Sequence, residues 1–289
     1  AELLDKPCDA VLENGFEPDF VPAGAAFTAR RRQARATILQ VASALTGTEM
    51  ADDTLIVTTS GRYEYKNKGQ DVFMEAMYRS LYDDRLNRPV LALVQVPAWI
   101  SGPRADLQDR LRHPQPAGSP LQDPICTHVL REPWNDPVTG FLRAHGMKNQ
   151  AADRVKVIFV PCYLDGRDGI FETSYYDLLI GSDLAVYPSY YEPWGYTPLE
   201  AVAFHVPCLT TSLAGFGLWA NKVKGCRQPS GRRRRGSDAR RLQLRPGGQC
   251  HLRYAGRPVR HECQGSDRCP QEGCPTGRES TVEAFHCQV

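Results

Sequence analysis

Five short apolar runs punctuate the first 211 residues, with longer amphipathic stretches between them. Thr54 to Thr59, Val90 to Val96, Val155 to Val160, Asp183 to Tyr187 and Cys208 to Thr211 carry apolar residues with little alternation. Runs of this kind predict strands buried on both faces, as in a parallel sheet. Ala29 to Ala44 predicts a helix: Ile38, Leu39, Val41, Ala42 and then Leu45 recur at helical spacing, with Arg30 to Arg32 on an outer, solvated face. Val72 to Leu81, Tyr175 to Ile180 and Leu199 to Phe204 are predicted as further helices. Pro97 to Pro137 is rich in proline and charge and is expected to hold short helices at most. Strands alternating with helices predict an α/β fold, a Rossmann-like doubly wound parallel sheet.

This pattern stops after Lys222. Gly225 opens a stretch rich in Arg, Gly, Pro and Cys, including Arg232 to Arg235, with no amphipathic run able to bury a core. The charge divides at the same place. From Asn221 onward 15 Lys and Arg stand against 6 Asp and Glu, leaving 20 against 27 in the rest. The formal charge of +2 therefore hides an acidic body and a basic tail. Six of the 10 cysteines also lie in that tail, whereas Cys8, Cys126, Cys162 and Cys208 are scattered through the body like reduced cytosolic thiols.

Three readings of residues 223–289 follow. The favoured expectation is an out-of-frame translation after a one-base change, since a shifted frame of GC-rich DNA yields this bias. The others are a disordered basic tail and a zinc site using His261, Cys263, Cys269 and Cys274, whose spacings depart from the usual Cys-x2–4-Cys knuckle. A nucleic-acid role is not expected, because the body is acidic and no aromatic residue interrupts the Arg run. No run of 18 apolar residues predicts a membrane span, and the first residues lack a leader's basic and apolar regions, so a cytoplasmic location is expected. The chain begins with Ala1 rather than Met, as a protein fragment or processed chain would.

The candidate chemistry gathers after the first and fourth strands. Ser60-Gly61-Arg62-Tyr63-Glu64-Tyr65-Lys66-Asn67-Lys68-Gly69 puts cations on a strand-to-helix loop. Tyr190-Tyr191-Glu192-Pro193-Trp194-Gly195-Tyr196-Thr197-Pro198-Leu199-Glu200 puts one acid on a second such loop and another in the helix behind it. Pro198 suits a first helical turn, and the N–H groups of Gly195, Tyr196 and Thr197 make a ready anion site. Loops of this kind line the ligand crevice of open α/β sheets. One acid at the mouth, N–H donors for phosphate and a second acid further back suit a nucleotide sugar. Read blandly, the same residues are a Pro-Gly turn with packed aromatics and ordinary surface charge.

The second string resembles the E-x7-E motif of retaining glycosyltransferases built from two Rossmann-like domains, the GT-B fold. Its aromatic-Pro-Gly wording resembles glycogen synthases of the eukaryotic type, and the likeness runs from about Leu12 to Lys224. The resemblance implies a division into 1–28, the end of a first domain and the crossing between domains; 29–222, a nucleotide-sugar-binding domain; and 223–289, an unstructured tail. The family usually has Pro where Glu13 stands. It implies Arg62 and Lys68 on the donor diphosphate, Glu192 beside the glucosyl ring, Glu200 on the ribose, and Thr197 with the 195–197 amides at the distal phosphate. Trp194 and Tyr196 belong to the same donor-binding string. Tyr175 either stacks on the base or is a packed helix-start tyrosine, and Gly215-Phe216-Gly217 is either a close approach to the site or a turn.

The implied reaction moves glucose from UDP-glucose or ADP-glucose to the non-reducing end of an α-1,4-glucan such as glycogen, with no metal and no cofactor. A homo-oligomer of the full-length protein is left open. The segments that would bind the acceptor, with a Gly-rich loop, a His and an Arg, are not found in this sequence, so this chain alone is expected to be inactive. The rival class is a non-catalytic nucleotide-sugar-binding module that needs a separate acceptor domain. Reading the coding DNA in a frame shifted by one base after Lys224 is expected to restore an apolar, helix-periodic sequence. Stops or a polar sequence in that frame, with peptide mass spectrometry confirming the present one, would overturn the frame-shift reading.

Overall fold

The computed structural model describes residues 12–114 and 118–223 and, beyond them, the backbone strands at 241–244, 250–254, 257–258 and 282–285. After a short 3-10 turn at Pro18–Phe20, the order is α1 Gly24–Thr46, β1 Leu55–Ser60, α2 Gln70–Ser80, β2 Val90–Gln95, β3 Ile100–Pro103, α3 Ala105–Arg112, β4 His128–Leu130, α4 Pro137–Ala144, β5 Val155–Val160, α5 Tyr175–Leu179, β6 Leu184–Tyr187, α6 Tyr196–Ala203, β7 Cys208–Thr211 and α7 Gly215–Val223.

Five strands pair in parallel in the order β7-β6-β1-β2-β5. From β1 the chain winds outward through β2 and β5, then returns to β1's other side for β6 and β7. The doubly wound sheet expected from the pattern is present, and its order reverses between β1 and β6. Ligands of such folds bind outside the carboxyl ends of the strands at that reversal.

Every residue of β1, β2 and β5 is buried, because each face of the sheet carries its own helical layer. Alternate residues serve opposite faces. Val57, Ala92, Val94, Val157 and Phe159 meet Phe73, Met74 and Met77 of α2 and Val138 and Leu142 of α4. Ile56, Leu91, Leu93 and Ile158 meet Ile38, Val41 and Leu45 of α1 and Leu107 of α3. A third cluster seats Ala201 and Phe204 against Ala185, Tyr187 and Cys208.

Two expectations need correcting. Arg30 to Arg32 are not a uniformly solvated face. Arg32 is exposed and Arg30 pairs at the surface with Asp177, but Arg31 donates to the Ile180 and Ser182 carbonyls and to Asp183 Oδ1, at 2.7–2.8 Å. Arg35 binds Asp183 Oδ2 at 2.7 Å and the Gly181 and Thr54 carbonyls. Helical periodicity marks the outer face of α1 but does not reveal that an acidic strand start docks against it. Residues 97–137 also hold more than short helices, because β3 and β4 pair there as an antiparallel ribbon. Gly102 and Pro103 obscured β3. α4, which was not among the expected helices, starts at Pro137, where Asp136 caps the Thr139 N–H at 2.7 Å.

Beyond Val223, β8 Arg241–Leu244, β9 Cys250–Tyr254 and β10 Arg257–Pro258 form a small antiparallel sheet, and β11 Val282–Phe285 pairs antiparallel with β7. Of the tail, which was expected to be unstructured, these four backbone strands are all that is described. The Arg run and all four residues of the zinc alternative lie outside the described residues.

Asp183 lies only one-fifth exposed between two guanidinium groups. Removing it leaves Arg31 and Arg35 partly buried without their counter-charge, so Asp183→Ala is expected to cost about 2–4 kcal/mol in urea unfolding at unchanged m. Arg30→Ala is expected to stay within about 0.5–1 kcal/mol of the parent. Equal losses in the two variants would overturn the assignment.

Candidate functional site

The loop after β1 and the loop after β6 leave neighbouring strands on opposite sides of the reversal, and glycines let them meet. Gly61 has φ 131°, and a Cβ there would stand 4.0 Å from Thr197 Cγ2 of α6. Gly69, at φ 68°, caps α2, and a Cβ there would overlap the Pro188 carbonyl at the end of β6. The Tyr190 N–H donates to the Asn67 carbonyl at 2.9 Å. On its other flank the first loop is tied to α4, where Tyr63 donates to Asp136 and accepts from the Val138 N–H.

The acid-bearing loop is stitched to the turn after β7. The Glu192 N–H donates to the Leu213 carbonyl at 3.3 Å, and the Gly215 N–H donates to the Glu192 carbonyl at 3.1 Å. The Phe216 N–H donates to the Trp194 carbonyl at 2.7 Å, and Thr211 Oγ1 to the Ser189 carbonyl at 2.7 Å. A Cβ at Gly215 would overlap the Pro193 carbonyl, so this glycine is the close approach rather than a free turn; it opens α7. The Trp194 ring packs against Phe216 and Trp219, 6.1 and 6.2 Å away, and its buried Nε1 has no hydrogen-bond partner among the described residues.

The charged groups converge on this seam. Lys68 Nζ is hydrogen-bonded to Glu192 Oε2, and both side chains are largely buried. Arg62 is 75% exposed and reaches Glu64 at 3.1 Å. Glu64 also accepts from Asn67 Nδ2 at 2.7 Å, and the Arg62 carbonyl accepts from Gln70 Nε2. Helix α6 starts at Tyr196 with Gly195 as its N-cap at φ 108°, so the N–H groups of its first turn open beside Gly61. Pro198 falls in that first turn.

Glu200 sits mid-helix on α6, half-buried, and accepts from the Tyr176 hydroxyl at 3.0 Å. Burial raises its pKa above the usual carboxylate range, and the Tyr176 hydrogen bond opposes that shift. The Tyr175 hydroxyl lies 2.8 Å from Ser60 Oγ and 3.5 Å from the Tyr187 hydroxyl, in a cluster at the carboxyl end of β1; burial pushes both phenols up.

The structure thus brings Lys68 onto Glu192, and Gly61 beside Thr197 in the helix start that holds Gly195 and Tyr196, so that the two loops flank one crevice, while the Arg62 side chain is exposed and paired with Glu64. Tyr175 and Glu200 are linked to its two walls, and the Trp194 ring is turned into packing. Sequence reasoning missed Ser60, Tyr187 and Tyr176, whose contacts join distant segments and leave no local spacing signal, and it passed over Glu64 and Asn67, whose contact lies within the first loop. A seam of cations, an acid and helix-start N–H groups suits a ligand with a polyphosphate beside a hydroxyl-bearing group.

His128, Cys162 and Asp168 are a buried group whose ligand atoms lie within 4.8 Å of one another. The polar atoms of Asp168 and His128 are already engaged. Asp168 accepts from the N–H groups of Ile170, Phe171 and Glu172, and His128 Nε2 donates to the Asp168 carbonyl at 2.9 Å. These bonds lock the loop after β5. Cys126, Cys162 and Cys208 are free, buried thiols, and burial pushes Cys162 up to about 12. Among the described residues no helix is long and apolar enough to cross a membrane.

Residues 119–230 match the family model of glycogen synthase. The glycogen [starch] synthase of Caenorhabditis elegans is 32% identical, across 58% of this chain and 33% of its own length. Isoform 1 of Saccharomyces cerevisiae is 29% identical, across 58% and 32%, and the Mus musculus liver enzyme is 29% identical, across 59% and 31%. The chain spans about a third of the length of the curated relatives it matches. Among solved structures, a glycosyltransferase of lipopolysaccharide biosynthesis, WaaG, is similar at 16% identity and TM-score 0.40, over 74% of this chain and 41% of that one. The C-terminal domain of a group 1 glycosyl transferase from Francisella tularensis is similar at 17% identity and TM-score 0.36, over 70% and 73%.

The meeting of the two loops rests on the missing Cβ of Gly69. Gly69→Ala adds a methyl against the Pro188 carbonyl at a left-handed φ, so the loops must part. Stability is expected to fall by about 2 kcal/mol or more in thermal or urea unfolding, whereas Gly146→Ala, at φ 64° with open space around it, is expected to lose about 1 kcal/mol. Equal losses would show that backbone strain alone matters.

Proposed function

We infer that this chain, a member of the glycogen synthase family across its matched segment, is the nucleotide-sugar-binding half of a GT-B glucosyltransferase. The observation that carries this reading is the seam at the sheet reversal, where the Arg62–Lys68 loop abuts Thr197, Pro188 and Glu192. The full-length protein transfers glucose with retention from UDP-glucose, or from ADP-glucose, to the non-reducing end of an α-1,4-glucan.

In this reading Arg62 and Lys68 receive the diphosphate. A guanidinium binds phosphate oxygens in a bidentate fork and an ammonium acts as a point charge. The first-turn N–H groups of α6, with Thr197, meet the distal phosphate. Breaking the sugar–phosphate bond leaves negative charge on the phosphate, and fixed cations and N–H groups stabilise it as it develops. Glu192 faces the positive charge that grows on the glucosyl ring. Lys68 joins the two roles: it neutralises Glu192 and stands at the phosphate end of the seam, so the donor's diphosphate shares or takes that cation as it binds. Glu200 accepts from the ribose hydroxyls through its two oxygens.

Calorimetric titration of the chain with UDP and ADP tests the reading, and no binding of either nucleotide would overturn it. Arg62→Ala is expected to weaken the bound nucleotide by roughly ten- to a hundredfold, the effect of losing a charge-assisted contact of about 1.5–3 kcal/mol. Glu192→Gln removes the carboxylate that neutralises Lys68, so nucleotide affinity is expected to hold or rise. In a version with an intact first domain, the same substitution is expected to lower turnover strongly, because its interaction strengthens in the transition state. Equal loss of affinity in the two variants would show that Glu192 only supports the loop.

A further inference from the structure

We propose that Tyr176 is a positioning residue for Glu200, holding one carboxylate oxygen so that the other is presented to the ribose hydroxyls of the donor. The proposal rests on the assignment of Glu200 to the ribose.

Tyr175 and Tyr176 are consecutive residues in the first turn of α5, behind a Ser174 cap that accepts from the Asp177 N–H. Their hydroxyls part company. Tyr175 reaches Ser60 at the end of β1, at 2.8 Å, and Tyr176 reaches Glu200 Oε1 on α6, at 3.0 Å. The start of α5 therefore touches both walls of the crevice. The Tyr176 ring has little freedom. It stacks on Phe204 at 5.0 Å and 13°, and meets Phe16 edge-on at 5.9 Å and Phe20 at 6.3 Å. A phenol clamped by aromatic rings from two other segments fixes the oxygen it binds.

The surroundings of Glu200 make that bond consequential. No lysine or arginine forms an ion pair with it among the described residues. The titratable groups acting on it from α5 are Tyr176 and Tyr175. β6 and β7, against which α6 packs, carry Tyr187 and Cys208 there, both kept neutral by burial. Tyr176 is itself pushed up to about 12, by burial first and then by the Glu200 charge, so it remains a donor. Burial raises the Glu200 pKa and the Tyr176 hydrogen bond lowers it. Without the phenol the pKa rises further, and the carboxylate is lost at a higher pH as acid is added.

The test titrates the chain between about pH 5 and 8 with whichever of UDP and ADP binds more tightly, and with its 2′,3′-dideoxy analogue. The diphosphate titrates in the same range, so the profile is read as the difference between the two ligands. Glu200→Gln is expected to weaken the parent nucleotide and spare the analogue. Tyr176→Phe keeps the ring and its stacking. It is expected to weaken the parent roughly three- to tenfold at pH 7, to spare the analogue, and to move the acid limb of the difference profile to higher pH. The double variant is expected to match Glu200→Gln alone. If Glu200→Gln discriminates between the ligands but Tyr176→Phe weakens both equally or leaves the acid limb in place, the Tyr176 proposal fails and the ribose assignment stands. If Glu200→Gln does not discriminate, the ribose assignment fails and the proposal with it.

Discussion

Asp183 holds the frame on which the crevice depends. Its carboxylate accepts from Arg31 and Arg35 of α1 and from the Ile56 N–H of β1, while its own N–H donates to the Ile56 carbonyl at 2.8 Å. Those bonds fasten β6 to β1 at the amino ends of both strands. The register between them pairs Val57 with Leu184 and Thr58 with Ala185, a short contact for the two strands that flank the sheet reversal. Their carboxyl ends are then free to send loops in different directions, and the crevice opens between those loops. A partly buried carboxylate shared by two guanidinium groups adds modest net stability. Its value here is geometric, because one residue ties α1, β1 and β6 into a single register.

At the other end of the same strands, contact replaces charge as the organising constraint. Gly69 lets the first loop press on the Pro188 carbonyl, and Gly215 lets the turn after β7 press on the Pro193 carbonyl. Glu192 is held between them by its own backbone, with one bond to Leu213 and one from Gly215. Its main chain is fixed, and its carboxylate is held by Lys68 from across the seam. A site built this way needs little rearrangement to present fixed charge to a ligand, the condition under which electrostatic stabilisation is most effective.

Much of this is legible in the order of residues alone. The five parallel strands fall where the apolar runs place them, with Val155–Val160 and Cys208–Thr211 matching to the residue. Gly195 and Pro198 announce the start of α6, and Arg62, Lys68, Glu192 and Glu200 stand out as charges in or beside glycine- and proline-bearing loops. Other features leave no such mark. β3 hides behind Gly102 and Pro103, and the Arg31 and Arg35 guanidiniums look like solvated charge. Tyr176 looks like one of two interchangeable tyrosines beside Tyr175.

Local sequence sets which segments are strands and helices and which residues can carry charge to a ligand, because periodicity, capping and turn chemistry act over a few neighbouring residues. Which of those charges meet is left to the fold. Lys68 and Glu192 are 124 residues apart, and Tyr176 and Glu200 are 24 apart. No local rule links residues so separated. The winding order of the sheet brings them together, and that order is set by how the whole chain buries its two apolar faces.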